Sequence, residues 1–194
     1  GNIVENDFYR IVVSNTGAIT SLLDKTRGYR EFVRTINGRT INDLGGSGGS
    51  LVVENAGSVS VTLRATSADP LAHTTRITLI RDTNRIEIRN DITENFGETL
   101  TWNYSFEIDS PEVWHEEVGA VIRAEFLANG GHYSPRNARY DWLTINHFAA
   151  VSGRGVGVTL SNTDAYYMKL GNSTRTEFDT RTPQFNILAG GQVD

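Results

Sequence analysis

The strongest constraint on the fold is a strict alternation of polar and apolar residues on both sides of a short turn. Residues 76–80 read Arg-Ile-Thr-Leu-Ile, residues 85–89 read Arg-Ile-Glu-Ile-Arg, and Asp82-Thr83-Asn84 lies between them. A period of two places four apolar residues on one face, namely Ile77, Leu79, Ile86 and Ile88. The pattern predicts an antiparallel hairpin that packs one face on a core and exposes the other.

Similar alternation, bounded by turn residues, recurs along most of the chain. It predicts further strands at residues 8–13, 18–23, 51–53, 59–65, 100–108, 118–126, 142–150, 155–160 and 165–170. Helical periodicity is scarce. Ten or more strands with short turns predict an all-β fold, a large antiparallel sandwich or barrel. The length of 194 residues fits one domain, residues 1–194.

Composition excludes several functional classes. The net charge of −5 comes without a basic stripe, which argues against a nucleic-acid partner and against binding to an anionic membrane surface. The chain contains no cysteine, so disulfides, thiolate nucleophiles and cysteine-ligated metals are excluded. No apolar run approaches the roughly 18 residues of a membrane-spanning helix. The sequence does not indicate a cellular compartment.

One segment differs in character from the rest. Residues 45–50 read Gly-Gly-Ser-Gly-Gly-Ser, a perfect repeat of a flexible linker. We interpret it as an engineered linker that replaces a longer loop. The chain ends at Gln192-Val193-Asp194 without a terminating signal, so we expect it to have been excised from a larger enzyme.

Residues with catalytic potential do not form a recognisable motif. The four histidines match no metal-ligand spacing, so we predict neither a metal site nor a catalytic residue in this chain. The run Trp114-His115-Glu116-Glu117 has the groups to bind a metal or transfer a proton. Its position just after Pro111 favours a solvated loop instead.

Sugar binding is the chemistry that the polar loops suit best. Residues 130–137 are rich in glycine, polar and aromatic residues, which predicts a long loop, and loops carry function more often than strands. Trp102 alternates with aromatic neighbours and is predicted to be core, whereas Trp114 is the better candidate for exposure. The candidate substrate-binding residues are Trp114, His132, Tyr133, Arg136, Asn137 and Asp141.

Two motifs carry a family resemblance that spans most of the chain. Residues 4–13 read Val-Glu-Asn-Asp-Phe-Tyr-Arg-Ile-Val-Val, and residues 17–25 read Gly-Ala-Ile-Thr-Ser-Leu-Leu-Asp-Lys. This resembles the first hairpin of the C-terminal β region of family-38 glycoside hydrolases, the α-mannosidases. The looser second match comprises Pro135-Arg136-Asn137, Tyr140-Asp141-Trp142, His147 and residues 155–162. There Arg136 replaces a threonine, and Asp141 precedes Trp142 instead of following it.

The resemblance implies a supersandwich of the kind found in galactose-mutarotase-like domains. It also implies that the nucleophilic aspartate and the zinc ligands belong to an N-terminal α/β barrel that is absent here, so no cofactor is expected in this chain. The barrel, part of the same polypeptide, would be the partner of the β domain. The loop from His132 to Asp141 would be the segment that reaches the rim of its sugar pocket.

Three functions are compatible with the sequence. The first is a non-catalytic accessory domain of a retaining, metal-dependent α-mannosidase, which braces the barrel. The second is a free-standing carbohydrate-binding module that uses an aromatic platform such as Trp114 with Tyr133. The third is an aldose-epimerase-like enzyme, which needs a histidine acid and a glutamate base converging in one cleft.

Overall fold

The computed structural model describes residues 1–190, which form seventeen β-strands and two 3-10 helices, Lys25–Arg27 and Leu127–Asn129. The predicted unterminated end, Gln192–Asp194, lies outside the described residues. The chain divides into two compact units, residues 1–96 and the residues from Gly97 onward. No helix of residues 1–190 has the length and apolar character needed to cross a membrane.

The first unit contains nine strands in two antiparallel sheets. They are β1 (Ile3–Glu5), β2 (Tyr9–Val13), β3 (Ile19–Asp24), β4 (Arg30–Glu31), β5 (Ile41–Asp43), β6 (Ser50–Ala56), β7 (Ser60–Ser67), β8 (His73–Ile80) and β9 (Ile86–Ile92). Strands β1, β2 and β3 pair in order, and β3 also pairs with β4 and β5. Strands β6 to β9 form a four-stranded meander.

The hairpin predicted from residues 76–89 is strands β8 and β9. Ile77 pairs with Ile88 and Leu79 with Ile86, so all four apolar side chains share one face, as predicted. Ile77 and Leu79 are each only 1% exposed. On the opposite face, cross-strand ion pairs join the carboxylates and guanidinium groups of Glu54, Arg64, Arg76 and Asp91. The alternation therefore separates an apolar face, fully buried at Ile77 and Leu79 and half-buried at Ile86 and Ile88, from a charged solvent face.

The glycine-rich segment 45–50 makes specific contacts within the first unit. The Gly45 N–H donates to Asp43 Oδ1 at 2.9 Å, and the Ser47 N–H donates to Asp69 Oδ2 at 2.7 Å. Four of its residues have positive φ, namely Gly45, Gly46, Gly48 and Gly49. A Cβ atom on Gly46 would lie 2.3 Å from the Asp69 carbonyl oxygen. In this structure the segment has a defined conformation, held by hydrogen bonds and close packing. Its engineered origin stays a prediction.

The second unit contains eight strands, which pair antiparallel in two groups. They are β10 (Leu100–Ser105), β11 (Glu112–Glu117), β12 (Ala120–Arg123), β13 (Leu143–Thr144), β14 (Phe148–Gly153), β15 (Val156–Ser161), β16 (Tyr167–Leu170) and β17 (Gln184–Gly190). Strands β10, β17, β16 and β13 pair in that order. Strands β12, β11, β14 and β15 form a four-stranded sheet.

Strands β10 and β17 are buried on both faces. Trp102, predicted to be core, is 5% exposed and lies on the same apolar face as Tyr104. The other face is polar: the Gln184 side chain donates to Ser105 Oγ at 2.8 Å, and the Asn103 amide donates to Asn186 Oδ1. Because these amides are satisfied by one another, their burial costs little.

The prediction that Trp114 to Glu117 form a solvated loop is wrong. These residues belong to β11, which pairs with β12 on one side and β14 on the other. Pro111 precedes the strand, where a missing N–H costs no ladder hydrogen bond. The predicted strand 118–126 shortens to β12, because Gly119 has φ +84° and forms the hairpin turn.

The prediction of an all-β chain built from antiparallel sheets is confirmed, and this architecture is consistent with a β-sandwich. Its assignment to the mutarotase-like supersandwich class rests on the sequence resemblance. A single domain over residues 1–194 also stays a prediction.

Candidate functional site

The six predicted sugar-binding residues all belong to the second unit, on β11 and the segment that follows β12. Successive side chains of β11 point to opposite faces of the sheet. Val113 and His115 are 4% and 0% exposed and face inwards, whereas Trp114 is half-buried and faces outwards with Glu112. The strand thus presents two distinct arrangements, one on each face.

The outer arrangement is centred on the Trp114 indole. Its Nε1–H donates to Glu112 Oε1 at 2.6 Å, and Glu112 Oε2 lies 3.0 Å from Arg123 Nη2. The His132 ring meets the indole edge-on, with 6.1 Å between ring centroids and an angle of 61° between the planes. His132 Nδ1 also accepts from the Arg123 backbone N–H at 2.9 Å. These contacts hold the indole in one orientation beside an imidazole.

The inner arrangement is a chain of hydrogen bonds through His115. His115 Nδ1 lies 2.8 Å from the Thr144 carbonyl oxygen, and Nε2 lies 3.0 Å from the Tyr133 hydroxyl. A carbonyl oxygen only accepts, so Nδ1 carries the proton and neutral His115 accepts at Nε2. The same hydroxyl is 3.3 Å from Glu117 Oε1. One phenol proton is therefore shared between an imidazole and a carboxylate.

Burial sets the protonation states of His115 and Tyr133 in this hydrogen-bonded arrangement. Burial lowers the pKa of His115, although the Thr144 carbonyl and the Glu117 charge oppose that shift. Burial and the neighbouring Glu117 carboxylate raise the pKa of the Tyr133 hydroxyl, so it remains a donor throughout the ordinary pH range. His115 is 0% exposed. A histidine and a glutamate do converge here, but a substrate cannot reach the imidazole in this conformation.

Tyr133 belongs to an aromatic cluster and not to the outer surface. Its ring centroid lies 4.9 Å from that of Phe178, and Phe178 stacks on Tyr140 at the same distance. Tyr133 also stacks on His115, a residue of the inner face of β11. Trp114 and Tyr133 therefore contact different faces of this strand, so they do not form the joint aromatic platform considered from the sequence.

The remaining three predicted residues lie on the loop between β12 and β13. Arg136 and Asn137 are exposed, and Asn137 has φ +58°, a turn conformation that asparagine tolerates. Asp141 makes a bidentate ion pair with Arg139, with distances of 2.8 and 2.9 Å. The hydrogen bonds from Arg139 lower the pKa of Asp141, which stays ionised. Asp141 thus serves the loop itself, whereas Arg136 and Asn137 remain accessible.

Sequence reasoning missed Glu112 and Arg123, the two residues that fix the Trp114 side chain. The signal for Glu112 lies in the sequence itself. Glu112, Trp114 and Glu116 alternate with Val113 and His115, a period of two that is typical of a strand. Pro111 obscured it, because proline is usually a strand-breaking residue.

Among residues 1–190, no cluster of three or more histidine, aspartate or glutamate side chains has the geometry to hold a metal ion. The zinc implied by the resemblance was expected outside this chain, and that expectation remains a prediction.

The first unit has an open groove of about 400 Å³, lined by Glu5, Lys25, Val59 and Arg81 among others. The Lys25 ammonium is already used: it donates to Glu5 Oε1 and to the Asn6 carbonyl oxygen, each at 2.6 Å. The groove is lined by both positive and negative side chains, so its charge does not favour one class of ligand.

Comparison of the sequence with models of known protein families found no match, and comparison with curated protein sequences found none. The α-mannosidase resemblance therefore stands on the residues quoted above and enters below as part of a proposal.

The buried imidazole predicts a pH dependence of stability. Because burial lowers the pKa of His115 in the folded chain, the unfolded chain binds the proton first as the pH falls below about 6.5. Stability contributed by neutral His115 is complete above that pH and declines as the pH falls further. Between pH 7 and pH 5.5, the free energy of unfolding measured with urea should fall less for His115→Gln than for the native chain. An equal fall in both proteins would contradict this prediction.

Proposed function

We infer that this chain is a non-catalytic accessory β domain of an α-mannosidase-like glycoside hydrolase, and that it braces a catalytic α/β barrel of the same polypeptide. The inference combines the sequence resemblance with the positions that the matching residues occupy. It assigns the bond-breaking chemistry, and any zinc, to the barrel.

The observation that carries this proposal is that the matching residues of the first motif act as one structural unit. Lys25, at the end of the motif, binds Glu5 and the Asn6 carbonyl near its beginning. The Asn6 side chain accepts from the N–H groups of Phe8 and Tyr9 and donates to two carbonyls of the β8–β9 turn. Residues about twenty positions apart in the motif are thus joined by direct contacts, and such a structural role of the motif is what we expect of a scaffold domain.

The inner chain of hydrogen bonds favours the same assignment over an epimerase. An epimerase needs its acid and base on a substrate-accessible cleft. His115 has a hydrogen-bond partner at each ring nitrogen, and Tyr133 occupies the space between His115 and Glu117. The buried His115 imidazole, with both ring nitrogens bonded, therefore positions a strand and a loop and offers no free nitrogen to a sugar.

Sugar binding by the chain alone is a second candidate, and one observation favours it. The Trp114 indole is oriented by Glu112 and lies beside the exposed imidazole of His132. An accessory domain with such a surface can also contact substrate, so the two roles are compatible.

The coding sequence that precedes Gly1 in the source gene tests the accessory role most directly. We expect it to encode an α/β barrel with a nucleophilic aspartate and zinc ligands. A start codon or an unrelated domain at that place would contradict the proposal.

An activity assay of the chain itself provides a second test. With an aryl α-mannoside and added zinc, the chain should show no turnover above that of a heat-denatured sample. Zinc-dependent turnover would contradict the assignment of the chemistry to another domain.

A further inference from the structure

We propose that the outer face of the β12-β11-β14-β15 sheet is a sugar-binding surface, on which a neutral mannose residue stacks against the Trp114 indole. The choice of mannose rests on the proposed function. The surface itself follows from the side chains around Trp114, independently of the family resemblance.

The floor of this surface is open on one side of Trp114, because its neighbours towards β14 and β15 are small, whereas Arg123 on β12 lies on the other side. The cross-strand neighbour of Trp114 on β14 is Ala150, and Ala150 in turn pairs with Thr159 on β15. One row further along, Ser152 pairs with Gly157. Phe148 shares this outer face at the start of β14, but the small residues Ala150, Ser152 and Gly157 leave room for a pyranose ring beside the indole. The electron-rich face of the indole attracts the polarised C–H bonds of such a ring.

The rim supplies groups that can bind hydroxyls in fixed positions. The Glu112 carboxylate uses one oxygen for the indole N–H and the other for Arg123, and each oxygen has a second lone pair available. His132 Nδ1 accepts from a backbone N–H, so in the neutral ring the proton lies on Nε2 and can be donated. Donors and acceptors that are already oriented lose little entropy when a ligand binds.

The charge pattern of this face disfavours an anionic ligand. Glu112 is paired with Arg123, and Glu116 lies 3.0 Å from His147, an imidazole that carries a charge only when protonated. Two carboxylates beside one guanidinium do not attract an anion such as a phosphate, whereas an uncharged sugar meets no such repulsion. A polyhydroxylated, uncharged ring satisfies both its apolar and its polar groups.

Titration of the native chain with α-mannobiose by calorimetry, together with three variants, tests the proposal. Trp114→Ala removes the platform and should weaken binding by about tenfold or more, as expected for a central aromatic contact. His132→Ala should weaken it less. Tyr166→Ala is the matched control, because Tyr166 is an aromatic residue that is 58% exposed and lies outside this sheet. It should bind like the native chain.

Nuclear magnetic resonance keeps the test decisive if Trp114→Ala fails to fold. The indole N–H resonance of Trp114 in the native chain should shift on addition of mannobiose, whereas that of the buried Trp102 should not. No binding by the native chain, or binding that Trp114→Ala leaves unchanged, would overturn the proposal without affecting the accessory role. Failure to find a barrel upstream of Gly1 would overturn the accessory role and leave the sugar-binding result intact.

Discussion

Replacement of Gly46 by alanine is expected to destabilise the chain by about 2–4 kcal/mol. Gly46 has φ +78°, and a Cβ atom there would lie 2.3 Å from the carbonyl oxygen and 2.4 Å from the carbonyl carbon of Asp69. Both atoms belong to the backbone, so the clash cannot be relieved by a rotamer change. Gly49→Ala should have a similar effect, because its Cβ would lie 2.6 Å from the Asn15 carbonyl oxygen.

Gly48 provides the matched control within the same segment. Its φ is +76°, almost that of Gly46, but its Cβ would meet nothing within 4 Å. Gly48→Ala should therefore cost only about 1–2 kcal/mol, from the left-handed backbone alone. Urea denaturation of the three variants separates the two contributions. Small and equal losses of unfolding free energy at all three positions would show that the segment behaves as a flexible linker, without the defined conformation described above.

Replacement of Asn6 by alanine should cost about 3 kcal/mol, because one small side chain makes four hydrogen bonds to backbone groups. Its Oδ1 accepts from the N–H groups of Phe8 and Tyr9, at 2.9 and 2.8 Å. Its Nδ2 donates to the carbonyl oxygens of Ile80 and Thr83, at 2.9 and 3.0 Å. Alanine removes these four hydrogen bonds and disconnects the loop before β2 from the β8–β9 turn.

Asn6→Asp distinguishes the two halves of this interaction. Aspartate retains the acceptor for Phe8 and Tyr9, but it places a carboxylate oxygen against two carbonyl oxygens. We expect a loss of stability close to that of alanine. Asn2→Ala, at an exposed asparagine before β1, serves as the control and should change the free energy of unfolding by less than about 0.5 kcal/mol. If Asn6→Asp were as stable as the native chain, the two hydrogen bonds that Asn6 Nδ2 donates to the β8–β9 turn would contribute nothing to the free energy of unfolding.

Periodicity predicted the hairpins because both partners lie close together in sequence. Strands β8 and β9 are joined by a short turn, and their shared apolar face can be read directly from residues 77–88. Strand β17 was not predicted, although residues 184–190 form it. One face of this strand is apolar, and the other carries Gln184 and Asn186. In the sequence these amides indicate an exposed face, because their buried partners on β10 are distant in the chain.

The candidate site was predicted only in part, for a related reason. Which face of β11 each residue occupies depends on the strand starting at Glu112, and Pro111, directly before it, indicates a loop in the sequence. Once the strand is known, alternation places Trp114 outside and His115 inside. The contacts of Tyr133 with His115 and Phe178 bring together segments 18 and 45 positions apart, and no local pattern encodes them.

The buried amide face of β10 has a consequence for the cells in which this chain can be produced. Asn103 begins the tripeptide Asn-Tyr-Ser, an acceptor for N-linked glycans, yet the residue is only 8% exposed and its side-chain amide donates to Asn186 Oδ1. A glycan attached to that nitrogen before β10 pairs with β17 would have to remain in solvent. A modified chain could not close this sheet. A host that glycosylates nascent chains would thus divide its product into folded unmodified molecules and modified molecules that cannot reach this fold.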